Sequence, residues 1–203
     1  MSDVPGVRRT WRRLRADLRV VMERDPSVRS VTEACLASYL PALWLHRLAH
    51  PLYQHNHRVL ARILSLLGRI LSGGCDIHPG ARIGSGLFID HAAAVVIGEE
   101  AVIGADVTLF HQVTLGAVGW WRDSRRLPGE RRHPTVGDGV VIGTGASVLG
   151  PVHIGDRSLV GAHCVITCDI PAGSRVSSPA GVVRPRSAPR PPLPTETHRK
   201  ESA

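Results

Sequence analysis

Two segments of this chain carry side chains that could move a proton or hold a small charged molecule. In the first, Asp90-His91 follows Asp76 by fifteen residues. An imidazole with an unperturbed pKa of about 6.5 can take a proton at neutral pH. A carboxylate beside it can orient the ring and stabilise its cation. In the second, Arg132-His133-Pro134 ends a stretch rich in arginine. A guanidinium fork matches a carboxylate, and acids such as Asp25 and Asp90 suit an ammonium. Each residue also has an ordinary role open to it. Asp25 before Pro26 can cap a helix, and Asp76 can close the turn after Gly73-Gly74. His91 can be a surface histidine, Arg132 part of a solvated face, and His133 a turn residue before proline.

The elements that must position these groups are set by a six-residue period. Aliphatic residues, usually followed by glycine, recur at Ile142-Gly143, Val148-Leu149, Ile154-Gly155, Val160-Gly161 and Ile166-Thr167. A second run is Ile97-Gly98, Ile103-Gly104, Leu109-Phe110 and Leu115-Gly116, and a third opens with Ile77, Ile83-Gly84 and Ile89. Neither a helix nor simple strand alternation has this period; a coiled parallel β-structure does. About fourteen hexads give four to five triangular turns over residues 75–183, each inward aliphatic contributing roughly 1.5–3 kcal/mol. Coils of this hexapeptide class are left-handed, an exception to the usual crossover rule; the period alone does not carry the hand. The register slips twice. Two extra residues follow Asp90-His91, where a polar group can point outward. Residues 117–134, with Trp120, Trp121 and five arginines, must leave the coil as a loop, and such loops often carry function.

Residues 1–74 read as helical. Trp11, Leu14, Leu18 and Val21 have amphipathic spacing. Asp25-Pro26 is expected to open a helix over 27–50 with a break at Pro41, and a further helix to start at Pro51 and end at Gly73-Gly74. After Gly181 the chain is rich in Pro and Arg, so 184–203 is expected to be disordered. The 203 residues are 43% hydrophobic but only 4% aromatic, with 21 glycines, which fits a core of small stacked aliphatics. The net charge of +8 is nearly all arginine, Lys200 being the only lysine. It speaks weakly for polyanions such as a nucleotide cofactor and does not argue for nucleic acid. Cys35, Cys75, Cys164 and Cys168 form no CxxC pair, so buried free thiols in a reducing cytosol are expected. No apolar signal segment or membrane-length span is evident, and a cytoplasmic location follows.

Four motifs in order, Asp76-Ile77-His78-Pro79, Leu87-Phe88-Ile89-Asp90-His91-Ala92, Val113-Thr114-Leu115-Gly116 and Arg132-His133-Pro134, resemble serine O-acetyltransferases of the hexapeptide acyltransferases. Arg24-Asp25-Pro26-Ser27-Val28 matches that family's helical region, and the resemblance covers about residues 20–183. It implies a left-handed parallel β-helix after a helical region, and O-acetylation of L-serine by acetyl-CoA, the step before sulfide incorporation in cysteine synthesis. It further implies His91 as general base and Asp76 as its orienting acid. Asp25, Asp90 and Arg132 would grip the amino acid, and His133 would close the site from a neighbouring subunit. Acetyl-CoA would lie against the backbone of Gly143-Thr144-Gly145-Ala146 and near Gly116, although tight coil corners explain these glycines equally. No covalent intermediate and no metal is implied. The long N-terminal extension of some members is missing, so a homotrimer is expected.

The sequence departs from the family in places. Ala117-Val118-Gly119-Trp120-Trp121 replaces a glycine-rich segment, the loop is longer, and Arg131 stands where an acid is frequent. The chain ends Glu201-Ser202-Ala203 without the C-terminal isoleucine that docks into a sulfhydrylase, so no tight complex of that kind is expected. Three rival functions stay open: the same chemistry on another small hydroxy or amino acceptor, a hexapeptide metalloenzyme, and a non-catalytic assembly module. The metalloenzyme would need three converging histidines, yet no His-x4-His pair occurs in the coil.

Overall fold

The computed structural model describes residues 5–127 and 129–181, with side chains from residue 13 onward. Trp11 and the tail expected to be disordered at 184–203 lie outside the described side chains and residues. Four helices come first: α1 (Pro5–Arg24), α2 (Val31–Ala34), α3 (Leu40–Gln54) and α4 (Arg58–Leu71). Asp25-Pro26 does not open a helix. Asp25 Oδ1 accepts from the Ser27 N–H at 2.9 Å and the Ser27 hydroxyl at 2.6 Å, a side-chain turn of the kind Asp favours. The cap is Ser30, whose hydroxyl accepts from the Glu33 N–H at 3.2 Å. The helix expected over 27–50 is therefore two. Pro41 is not a break but lies in the first turn of α3, where its missing N–H costs no bond. The chain does not restart at Pro51 either. It continues to Gln54, closing through the His55 N–H on the Pro51 carbonyl at 3.0 Å, and reverses where Asn56 takes φ 64°.

From Asp76 the chain winds as a parallel β-solenoid of five coils. Its strands are β1 (Asp76–Ile77), β2 (Arg82–Ile83), β3 (Phe88–Asp90), β4 (Val96–Ile97), β5 (Val102–Ile103), β6 (Thr108–Phe110) and β7 (Thr114–Gly116), then, after the short helix α5 (Trp120–Asp123), β8 (Thr135–Val136), β9 (Val141–Ile142), β10 (Ser147–Leu149), β11 (His153–Ile154), β12 (Leu159–Val160), β13 (Val165–Ile166) and β14 (Arg175–Val176). They stack into three faces: β1-β4-β7-β10-β13, β2-β5-β8-β11 and β3-β6-β9-β12-β14. Asp76 pairs with Val96, twenty residues on, whereas Val96 pairs with Thr114, eighteen on. The two additional residues lie between β3 and β4, directly after His91. Residues 117–134 bridge the first and second faces, between β7 and β8.

The inward residue of each strand is the aliphatic one. Ile77, Ile97, Leu115, Val148 and Ile166 fill the first face, and Ile89, Leu109, Ile142 and Val160 the third, all buried. The helices seal one end. Arg47 of α3 meets Asp17 of α1 in a buried ion pair at 2.7 and 2.6 Å, and its Nη2 also donates to the Gly84 carbonyl at 3.2 Å. His46 bonds the Ala81 carbonyl at 3.1 Å through Nε2, and Ser65 of α4 donates to the Ile77 carbonyl at 2.7 Å. Cys75 and Cys164 are buried free thiols as expected, but Cys35 and Cys168 are exposed. One follows the single-turn α2; the other sits on an outward coil corner. Among the described residues no helix is long and apolar enough to cross a membrane.

Candidate active site

The predicted residues fall on two edges of the prism, both bordering the first face. His91 occupies the edge between the third and first faces. On this edge Ala94, Gln112, Gly145 and His163 stack as a column of left-handed residues, φ 55°, 61°, 67° and 57°. His91, also at φ 55°, is an extra member outside that column, created by the two-residue insertion. Such a backbone favours glycine, yet Ala94, Gln112 and His163 adopt it too, so the conformation is a property of this corner and does not by itself single out His91. Its ring projects into solvent with the side chain 80% exposed, its Nε2 3.6 Å from Asp90 Oδ1. The His111 ring stands edge-on at 6.1 Å.

Asp25 reaches the same edge from the end of α1. Its carboxyl is held below its ordinary range chiefly by the Ser27 hydroxyl and N–H, with the nearby His91 adding to the effect. Arg24 anchors this segment to the solenoid through the Thr108 hydroxyl at 2.7 Å and the Asp106 carbonyl at 3.1 Å. Gly143, Thr144, Gly145 and Ala146 lie on the same edge two coils further along, between β9 and β10. Gly145 is one position where glycine is needed: a Cβ there would come within 2.6 Å of the His163 ring. Gly116 ends β7, and its carbonyl accepts from the Gly150 N–H at 2.9 Å. Asp76 opens β1, its carboxylate 3.4 Å from Arg69 of α4. Among the described residues no hydrogen bond or ion pair joins it to His91.

Arg132 and His133 are on the other edge, between the first and second faces. The loop returns them onto Glu99-Glu100, which follow β4. Arg132 Nη2 bonds Glu99 Oε2 at 2.7 Å, its Nε stands 3.6 Å from Glu100 Oε1, and its N–H donates to Glu100 Oε2 at 2.6 Å. His133 is 7% exposed. Its Nδ1 lies 3.4 Å from the Glu100 N–H nitrogen and 3.5 Å from Glu100 Oε2. Burial pulls its pKa below the ordinary value, against the carboxylate of Glu100. Room for the ring comes from Gly98, where a Cβ would sit 2.0 Å from the imidazole. Tyr53 of α3 donates to Glu99 Oε1 at 2.5 Å, and its ring meets His78 edge-on at 5.4 Å. A cavity of about 320 Å³ lined by Tyr53, Glu99, Glu100 and Arg131 opens beside the cluster.

One chain thus brings His91, Asp90 and Asp25 together on one edge and Arg132 with His133 on another, with Asp76 held by Arg69. Sequence reasoning missed Tyr53, Gly98, Glu99 and Glu100. The only available signal was the acid pair Glu99-Glu100 directly after the hexad pair Ile97-Gly98.

Comparison with known proteins agrees with this architecture. Residues 133–168 match the model of the bacterial transferase hexapeptide (six repeats). A serine acetyltransferase of Mycobacterium tuberculosis is 47% identical over 179 residues, spanning 88% of this chain and 75% of that one. One from Helicobacter pylori is 46% identical over 155 residues, 76% of this chain and 86% of that one. The crystal structure of Neisseria gonorrhoeae serine acetyltransferase in complex with serine superposes with a TM-score of 0.75 at 36% identity, covering 86% of this chain and 69% of that one. The soybean enzyme complexed with serine gives 0.75 at 41%, with 86% and 69% covered. With fold, repeat and identity in agreement over most of its length, the chain belongs to the serine acetyltransferase family of hexapeptide acyltransferases.

Proposed function

We propose that this protein transfers the acetyl group of acetyl-CoA to the hydroxyl of L-serine, with serine and thioester bound together, in the step that precedes sulfide incorporation in cysteine synthesis. The observation that carries this reading is the placement of His91 and Gly143–Ala146 along one edge of the first face, in a chain closely similar to enzymes named for the reaction. Serine's ammonium would rest against Asp25 and Asp90 and its carboxylate on Arg132. His91 takes the hydroxyl proton, and the alkoxide oxygen attacks the thioester carbonyl carbon. The carbon–sulfur bond then breaks, and the departing thiolate takes the proton from the imidazolium, giving O-acetylserine and free CoA. A positioned base of this kind contributes about 10² to 10⁴ in rate. Asp76 would orient the ring after leaving Arg69, an exchange that costs little because that pair is half-exposed.

In one chain the two half-sites stand on opposite edges of the first face. Packing copies about a threefold axis beside that face sets the His91 edge of one copy against the Arg132 edge of the next. The proposed assembly is therefore a homotrimer with sites between subunits, and the exposed aliphatic side of α4, with Val59, Ile63, Leu66 and Ile70, supports such burial.

Thiol release from acetyl-CoA against a panel of hydroxy and amino acids tests the reading. Serine should lead, and His91→Ala should lower kcat about 100-fold or more. An acceptor that beats serine about tenfold in kcat/KM would overturn the serine assignment in favour of the same transfer to another small acceptor. The long loop, with Trp120 and Trp121 exposed, is the feature that favours that second reading.

A further inference from the structure

We infer that Tyr53 is a positioning residue: through Glu99 it sets the Arg132 guanidinium that receives the acceptor's carboxylate. The inference rests on the reading of Arg132 given above and adds to it a role for the helical region. Both oxygens of Glu99 are committed, Oε1 to the Tyr53 hydroxyl at 2.5 Å and Oε2 to Arg132 Nη2 at 2.7 Å. Tyr53 is itself fixed. The edge-on His78 ring lies at 5.4 Å, and the Arg58 guanidinium stands 5.2 Å over its face. Gly80 leaves the space Glu99 occupies, since a Cβ there would lie 2.9 Å from the Glu99 carbonyl oxygen and 3.1 Å from its Cγ.

This chain of contacts answers a mechanical need. Arg132 comes at the end of an eighteen-residue excursion, 117–134, and has no rigid strand of its own. A long side chain held in its binding rotamer gives up less freedom when the ligand arrives. Of the five N–H groups of a guanidinium, Nε faces Glu100 and one Nη2 hydrogen goes to Glu99. Among the described residues the Nη1 pair and the second Nη2 hydrogen have no partner and can present a fork. Donation to Glu99 also lifts the Tyr53 hydroxyl above its ordinary pKa, and the same bond holds Glu99 below its own. The phenol therefore remains the donor and the carboxylate remains charged. The direction of the relay is outward, from α3 through the solenoid edge to the loop.

The test is steady-state kinetics of the full-length protein with Tyr53→Phe, Glu99→Gln and the double variant, with Arg132→Ala as reference. Tyr53→Phe should raise the KM for serine about 5-fold, less than the full loss of one hydrogen bond to a charged group because the effect reaches serine only through Arg132. It should leave kcat and the KM for acetyl-CoA within about twofold. Glu99→Gln should move the serine KM further in the same direction, and adding Tyr53→Phe to it should change nothing more. An unchanged serine KM in Tyr53→Phe, or additive effects in the double variant, would overturn the relay. So would a fall in kcat that tracks a lowered Tm, since that marks a purely structural tyrosine. A raised serine KM in Arg132→Ala beside a normal one in Tyr53→Phe sinks the relay alone. A normal serine KM in Arg132→Ala sinks the reading of Arg132 together with it.

Discussion

His133 and Gly98 show how a hexad coil houses a side chain from outside it. Where the chain leaves the first face at Gly98, the missing side chain frees a space that is filled by an imidazole from a later segment. Gly98→Ala should push His133 out of its slot. A displacement of about 1 Å at such a site can lower turnover about 100-fold. The expected result is that loss with an unchanged circular dichroism spectrum and Tm; wild-type kcat/KM in the alanine variant would refute it. The outward position of His91 was legible in the sequence because the register slips beside it, and the structure leaves its side chain exposed there. Glu99 and Tyr53 were not legible. Their partnership depends on a helix packing beside a corner forty-six residues away, a distance no local pattern encodes.

The helices are pinned to the solenoid by polar groups withdrawn from water, and α3 carries most of them. His46 is the clearest case. Its Nε2–H donates to the Ala81 carbonyl at 3.1 Å while Nδ1 is buried with no partner among the described residues. Burial first, then repulsion from His50, pushes its pKa down to about 3 from 6.5. The folded ring stays neutral in the window between those values, whereas the unfolded chain binds a proton. Stability from this residue is complete above pH 6.5 and falls as the pH drops toward 3, by at most about 1.4 kcal/mol per pH unit. His46→Gln keeps a donor for Ala81 but does not titrate, so its urea midpoint should fall less steeply between pH 6 and 4 than the wild type's. Parallel slopes would show that another group controls acid unfolding. At this scale the sequence was readable where pattern is local and misleading where proline is ambiguous. The six-residue period located all three faces. Pro41 and Pro51 looked like breaks, yet Pro41 lies in a first turn, where a missing N–H is tolerated, and Pro51 sits inside α3 near its end at the cost of one intrahelical hydrogen bond.

For the whole molecule the question is how two distant edges serve one reaction. If the site joins His91 of one copy to Arg132 of the next, two inactive variants should repair each other. His91→Ala and Arg132→Ala protomers, unfolded and reassembled together in equal amounts, should recover about a quarter of wild-type activity, because a random cyclic oligomer pairs an intact His91 with an intact Arg132 at that frequency. No recovery in mixed trimers verified by mass would place the whole site within one chain. The solenoid itself is indifferent to what its edges carry. Thr114 pairs with Ser147 across the long excursion as regularly as Ser147 pairs with Val165 across an ordinary coil. Layer registry is thus insulated from loop length, so this edge behaves like a socket. The cassette that plugs into it can be exchanged while the prism stays constant.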